Sequence, residues 1–454
     1  MSTRMDGIEQ GSLFAGTPVH VSMTVSEGNR YRVLAEKLPW RRIAEVANRY
    51  RSQQVDIHNG RSLDLRLHLG ALIAQSMNRW TDRETEDMVA HHAGVRLLCG
   101  LEFSNETIDH TSIETFRNQL TGAGVAEINK VVVRAASEAG FTGGALCSSD
   151  TTVQESPIAY PTEVGHMKNI AEKLTGIGLR IRKGVAKKLA KLSEAVRRTF
   201  TKIRLFTRGK ASKSVEQKKK LAKEMQRAVA HMQRLVRGEM ERLRGRSKER
   251  YQDALDLYQL MLGQIRYWMR TGFHRSGKIV SLWERQARAI VRNKASKSVE
   301  FGRRWIVTRL EKGYIIGAVC RKLGGDADTG IMPEVLEHFE RMMGKLPKLV
   351  VYDRGGDGPK NHRTLRQKGI RHNGIFRKAK EALPGLGRNT VLKVRRERAL
   401  SEAAVATIKN ARYGFNKPRA KSSEGCVLKG HAAILGANLA HLARDWRAAA
   451  AMAT

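Results

Sequence analysis

Between residues 168 and 271 the chain keeps a helical period for about a hundred residues while carrying a large excess of cations, and this feature narrows the possible folds furthest. Ile170, Leu174, Ile177, Ile181, Val185, Leu189, Leu192, Val196 and Ile203 recur three and four apart. A second set runs through Leu221, Met225, Met232, Leu235, Leu243, Leu255, Tyr258 and Leu262. Stripes at that spacing give amphipathic helices, and with a turn over residues 209–214 the segment predicts a helical hairpin or small bundle. From Lys168 to Arg250 there are 27 Lys and Arg against seven Glu. A solvated face built from i, i+4 ion pairs needs near balance. The surplus points instead to a polyanion, with the phosphate backbone of nucleic acid as the expected partner and Lys218, Lys219 and Lys220 among the contacts.

The formal charge of the whole chain, +39 over 454 residues, points the same way. At roughly 100 to 200 residues per domain this length suggests two to four domains. No apolar run reaches the ~18 residues a membrane helix needs, and the start lacks a signal-peptide stretch, so the reading is of a soluble, intracellular protein. Cys99, Cys147, Cys320 and Cys426 stand singly and form no CxxC pair, so they read as buried free thiols. No GxxxxGK[ST] loop is present, which argues against nucleotide-fuelled action.

Residues 1–28 lack periodicity and read as a disordered leader. From Asn29 to Gly140 the pattern is helical, with a capping box at Thr81-Asp-Arg-Glu84 and a similar start at DHTSIETFRNQL. An apolar run from Gly144 to Ser149 leads into Asp150 and reads as a buried strand ending in an acid. After Lys297 the period becomes two. FGRRWIVTRLEKGYIIGAVCRKL predicts two strands joined at Glu311-Lys-Gly313, MPEVLEHFERMM a helix with Pro333 in its first turn, and LPKLVVYD a strand ending in Asp353. Helices are expected over 362–368, 393–411 and 427–448.

Two strands of one sheet thus each deliver an Asp at the carboxyl end, where open α/β sheets place their sites. Hard cations take oxygen ligands, and a pair of them can stabilise both the attacking and the leaving oxygen of a phosphodiester. In RRERALSEAAVATIKN, Glu402 lies four residues after Arg398 and seven before Lys409, so one helical face carries cation, carboxylate, cation. The carboxylate suits a metal and the bases suit DNA phosphates. Asp357, in a Gly-rich turn, is a weaker rival to Asp353. Glu155 and Glu163 read as local groups, Asp326 and Asp328 as turn and cap residues, and His166 and His372 as structural. Tyr267, Trp268 and Trp283 read as core more readily than as platforms for an unpaired base.

Asp150-Thr-Thr, Asp353 and Arg398-x3-Glu402-x6-Lys409 resemble the DDE transposases of bacterial insertion sequences, whose signature reads Tyr-x2-Arg-x3-Glu-x6-Lys. Arg395 stands at the Tyr position, where a phosphate contact is chemically natural. The blocks ALCSSDTTVQESPIAYPTE, VVYDRGGDG and IKNARYGFNKPR are similar to a loosely classified ISNCY-like group. This resemblance implies an α/β fold: a ribonuclease-H-like mixed-sheet core with an all-α N-terminal domain and a long basic helical insertion. The expected domains are a DNA-binding helical region (29–140), a catalytic core (141–167 and 275–425), the insertion (168–274) and a C-terminal helix packing on the core (426–454). It further implies that Asp150, Asp353 and Glu402 are catalytic and hold two Mg²⁺ or Mn²⁺ ions, while Arg395, Arg398 and Lys409 contact DNA. The expected activity is cleavage of double-stranded DNA at element ends and transfer of 3′ ends to a target, by a homodimer on DNA in the bacterial cytoplasm, associated with the nucleoid. A ribonuclease-H-like nuclease or resolvase, and a non-enzymatic architectural DNA-binding protein, are the alternatives.

Overall fold

A computed structural model describes residues 25–55, 63–102, 104–206, 212–275, 277–291, 299–321, 328–376 and 386–453. Most of the expected leader, Asp326 and part of the expected turn at 209–214 lie outside them. The chain divides into two units, one comprising Met1–Glu155, Arg304–Arg321 and Asp326–Thr454, the other Ser156–Arg303 with Lys322–Gly325.

The first unit opens with α1 (Arg30–Lys37), α2 (Trp40–Ser52), α3 (Leu65–Asn78), α4 (Asp82–His91), α5 (Ala93–Leu98) and α6 (His110–Glu138). The capping box forms as read from sequence: Glu84 N donates to Thr81 Oγ1 (3.2 Å) and Thr81 N to Glu84 Oε2 (2.6 Å). Strand β1 (Leu146–Glu155) follows. In the second unit come α7 (Glu163–Ile181), α8 (Lys183–Phe206), α9 (Ser212–Gly238), α10 (Gly245–Thr271) and β2 (Arg288–Val291). Strand β3 (Val299–Arg309) then leads back to β4 (Ile315–Val319), α11 (Met332–Met343), β5 (Leu349–Val351), α12 (Pro359–Gln367), β6 (His372–Gly374), α13 (Arg388–Lys409) and α14 (Ser423–Ala453).

In the first unit the strand order is β4-β3-β1-β5-β6, a mixed sheet. β3 and β4 run antiparallel through the tight turn at Glu311–Gly313, while β1, β5 and β6 run parallel, with Leu146 opposite Leu349 and Ser148 opposite Val351. Helices and sheet share one apolar core, in which Ile43, Leu72 and Ile128 join Ile306, Phe339 and Leu435. Helix α14 approaches α3 so closely that a Cβ on Gly436 would stand 2.6 Å from the carbonyl carbon of Ser76, so only glycine fits there. All four cysteines are buried free thiols.

β1 does not end at its acid. It continues from Thr151 to Glu155, because Thr151, Thr152 and Val153 are β-branched and favour extended backbone. The buried Gln154 that follows has its amide satisfied, accepting from Trp305 Nε1 (3.0 Å) and donating to Cys426 O (2.8 Å).

The second unit is a helical bundle. Ile170 and Leu174 of α7, Leu189, Val196 and Ile203 of α8, Met225, Val229 and Met232 of α9, and Leu255 and Leu262 of α10 form its core. β2 pairs antiparallel with the first residues of β3, from Arg288 opposite Gly302 to Val291 opposite Val299. Among the described residues, no helix is long and apolar enough to cross a membrane.

Candidate active site

The parallel pairing of β1 and β5 stops at Ser148 and Val351, and Asp150 and Asp353 each lie two residues further on. Asp353 is still extended (φ −72°, ψ 179°) as it leads into a 3-10 turn, so each acid lies at the same offset along the chain past the last paired residues. The buried Tyr352 registers both carboxylates. Its phenol is pushed well above its ordinary value by burial first and then by the carboxylates of Asp150 and Asp353, with Arg304 acting in the opposite sense.

A third acid joins this group. Asp328, at the start of a short 3-10 turn, forms an ion pair with Arg304 of β3, and Thr151 Oγ1 lies 3.4 Å from its Oδ1. Asn361 of α12 fastens the two loops that carry the acids: its side-chain nitrogen donates to Asp328 O (2.7 Å) and Gly356 O (2.8 Å), and its oxygen accepts from Met332 N (3.0 Å). Between the acids the backbone is bare. A Cβ on Gly355 would stand 3.2 Å from both Asp328 Oδ2 and Asp353 Oδ1.

Asp353 Oδ1 is buried and has no hydrogen-bond partner. An ionised oxygen left so is costly unless a cation or donor meets it, and the all-oxygen character of the pair suits a hard divalent ion. Asp150 and Asp353 are carboxylates of the type that could hold such an ion. Among the described residues, however, no three His, Cys, Asp or Glu side chains draw together into one ion-holding group.

Glu402 is not among the acids drawn to this cluster. It is exposed on α13, and the acid that helix turns inward is Glu397, which is buried against Arg309, while its backbone oxygen accepts from Ser148 Oγ (3.0 Å). Glu402 is five residues on, about 140° around the helix. Arg398, on the face of Glu402, lies 5.1 Å over the Phe376 ring, Arg395 is exposed, and Lys409 is half-buried at the helix end. On α9, Lys219 and Lys220 are exposed and Lys218 half-buried.

Several of the remaining groups have local partners. Asp357 Oδ1 meets His362 Nε2 at 2.8 Å, and His362 Nδ1 meets Asn373 Nδ2 at 2.7 Å. Glu155 lies 3.9 Å from Lys417, and Glu163 pairs with Lys278. His166 is buried and pushed down to about 4, by burial first and then by Lys278. Trp268 stacks on His274 and Arg275 covers Tyr267, while Trp283 is partly exposed. Asp328 and Arg304 are the site residues that the sequence hides, since one reads as a turn residue and the other as one of two adjacent arginines in a strand.

Residues 20–119 match a family model described as Transposase domain (DUF772), which supports a transposase relationship for the helical N-terminal region. No curated protein and no solved structure matches the chain.

Proposed function

We propose that the protein is a DDE-type DNA transposase, and that Asp150 and Asp353 form the centre of its active site. The observation that carries the reading is the pair itself: two carboxylates at matching offsets on parallel strands, one with a buried, unpartnered oxygen, in a chain whose N-terminal region matches a transposase domain. The strand order supports a ribonuclease-H-like core, because among β1, β3, β4, β5 and β6 the acids fall on the first strand and directly after the fourth, with the helical bundle inserted between the first and second.

Two Mg²⁺ or Mn²⁺ ions held by Asp150 and Asp353, with Glu402 as the proposed third ligand although α13 leaves it exposed and apart from the pair here, would supply the Lewis acidity that activates the attacking oxygen and stabilises the leaving one. The chain's own residues do the positioning. Arg304 holds Asp328 back, the fastening by Asn361 fixes the two acidic turns, and bare Gly355 keeps the gap between them open. Arg395, Arg398 and Lys409 line one face of α13 with Glu402 and take DNA phosphates. Lys218, Lys219 and Lys220 of the bundle also take DNA phosphates, and a homodimer holds two element ends together.

The test is a strand-cleavage and strand-joining assay with Mg²⁺ on Asp150→Asn, Asp353→Asn and Glu402→Gln chains. Loss of both activities with DNA binding retained supports the reading, and joining of 3′ ends to a target plasmid separates a transposase from a nuclease. Full cleavage by Asp353→Asn removes the site, and full cleavage by Glu402→Gln alone removes the third ligand.

A further inference from the structure

Away from the acids, the first unit holds a cleft of about 600 Å³ between α13 and α14. Small side chains, Ala403 on α13 and Ala440 on α14 among them, keep the two helices from filling it. Its walls are cationic. Arg30 at the start of α1, Arg412 after α13, and Arg444 and Arg447 on α14 line it, with Arg309 of β3 also present, and no Asp or Glu lines it.

Arg444 and Arg447 also reach a second cleft lined by Glu27 and Glu36, of which Glu36 pairs with Arg32 (2.9 Å). Glu397 pairs with Arg309, and Asp445 accepts from Tyr314 Oη (2.7 Å) and lies 3.6 Å from His441 Nε2. Two of the guanidiniums are aimed by neutral acceptors: Arg30 donates to Tyr31 Oη (2.7 Å) and Asn78 Oδ1 (2.9 Å), and Arg412 Nε to Met77 O (2.9 Å). A neutral acceptor fixes direction without cancelling charge. Among the described residues, none of Arg30, Arg412, Arg444 and Arg447 has a carboxylate partner. Four guanidiniums converging without a counter-charge repel one another. Phosphate relieves that repulsion and matches the guanidinium fork with two oxygens at a time.

We propose that this cleft is a phosphate-binding site. It is distinct from the proposed catalytic residues, because none of Asp150, Asp353 and Glu402 lines it. It therefore does not rest on the metal-site reading. The phosphate can come from the backbone of bound DNA or from a free small molecule, and the chemistry of recognition is the same.

The test uses the full chain carrying Arg444→Gln and Arg447→Gln, both exposed positions whose change leaves the core intact. In one arm the salt dependence of duplex DNA binding is measured. In the other, melting is followed with and without millimolar inorganic phosphate. A backbone source predicts that the salt slope weakens by about 0.9 for each phosphate no longer neutralised. A free-phosphate source predicts an unchanged slope, and a phosphate-induced rise in melting temperature for the parent chain that the variant lacks. If the variant matches the parent in both arms, the cleft is not a phosphate site. Asp353→Asn, run alongside, should leave both readouts unmoved, so failure of the catalytic reading is told apart from failure of this one.

Discussion

In the sheet-bearing unit, alongside exposed pairs such as Arg42 with Glu138, several charges sit in partly buried pairs: Arg117 with Asp82, Arg304 with Asp328, Arg309 with Glu397. On the helices of the bundle Glu163 is buried against Lys278, but Glu172 against Lys168 and Glu194 against both Arg197 and Arg198 lie toward the surface, and the cations outnumber the acids. Burial and exposure produce this contrast. A charge removed from water must find a partner or destabilise the fold, so the first unit positions its ions individually. An exposed charge needs no partner and exposed pairs contribute little to stability, so the bundle can accumulate cations for a ligand that is absent from the chain. On the proposed function, one region acts through where its charges are placed, the other through how many it has.

The largest expected effect follows from placement. Asp353→Asn removes one ionic ligand while keeping shape, and cleavage is expected to fall by about 10³-fold, on the order of 4 kcal/mol. The salt slope of DNA binding should stay put. If the slope moved with the loss of cleavage, the division of labour between the two units would not hold.

Number, by contrast, should show as a graded response. Changing Lys218, Lys219 and Lys220 together to Ala is expected to weaken the slope by about 0.9 for each phosphate these lysines neutralise, with affinity falling on the order of tenfold at moderate salt. Cleavage by complexes that do form should be unchanged. A triple variant with the parent's slope would mean that the excess charge of α9 does not meet DNA.

What could be read from sequence follows the same line. The capping box at Thr81, the turn at Glu311–Gly313, the amphipathic stripes of α7–α10 and Asp353 after an apolar strand are local patterns, set by near neighbours in the chain. The continuation of β1 past Asp150 was not legible, because Gln154 is tolerated there only by Trp305 and Cys426, distant in sequence. Nor was Asp328, whose partner Arg304 arrives from another strand. Glu397 and Glu402 look equivalent on a helix, and only the packing of α13 on β1 tells the buried acid from the exposed one.

A smaller effect tests whether the gap between the acids matters. Gly355→Ala would bring a methyl group to within 3.2 Å of two carboxylate oxygens, tight enough to shift them by a few tenths of an ångström. A displacement of that size is expected to reduce cleavage by roughly tenfold, below the ~100-fold that a 1 Å misplacement can cost. Full activity would show that the site tolerates looser placement than the rest of this unit.

The smallest difference concerns acid stability. Among its described residues the first unit holds four histidines below their ordinary value, each by burial first: His68, His338, His431 and His441. Among the described residues the bundle holds one such ring, His166. His338, 3.0 Å from Arg341 NH2, is pushed down to about 3, and His431 to about 4 by burial and then Arg341. A folded value below the unfolded 6.5 means that the unfolded chain binds more protons between the two, so stability present above pH 6.5 is lost as pH falls toward 4 and below. The sheet-bearing unit should therefore melt at progressively lower temperature than the bundle between pH 6.5 and 4, by about 2–4 °C for each kcal/mol lost. His338→Gln should flatten that acid limb without altering the bundle's. Parallel acid limbs for both units would mean that the buried rings do not set the difference.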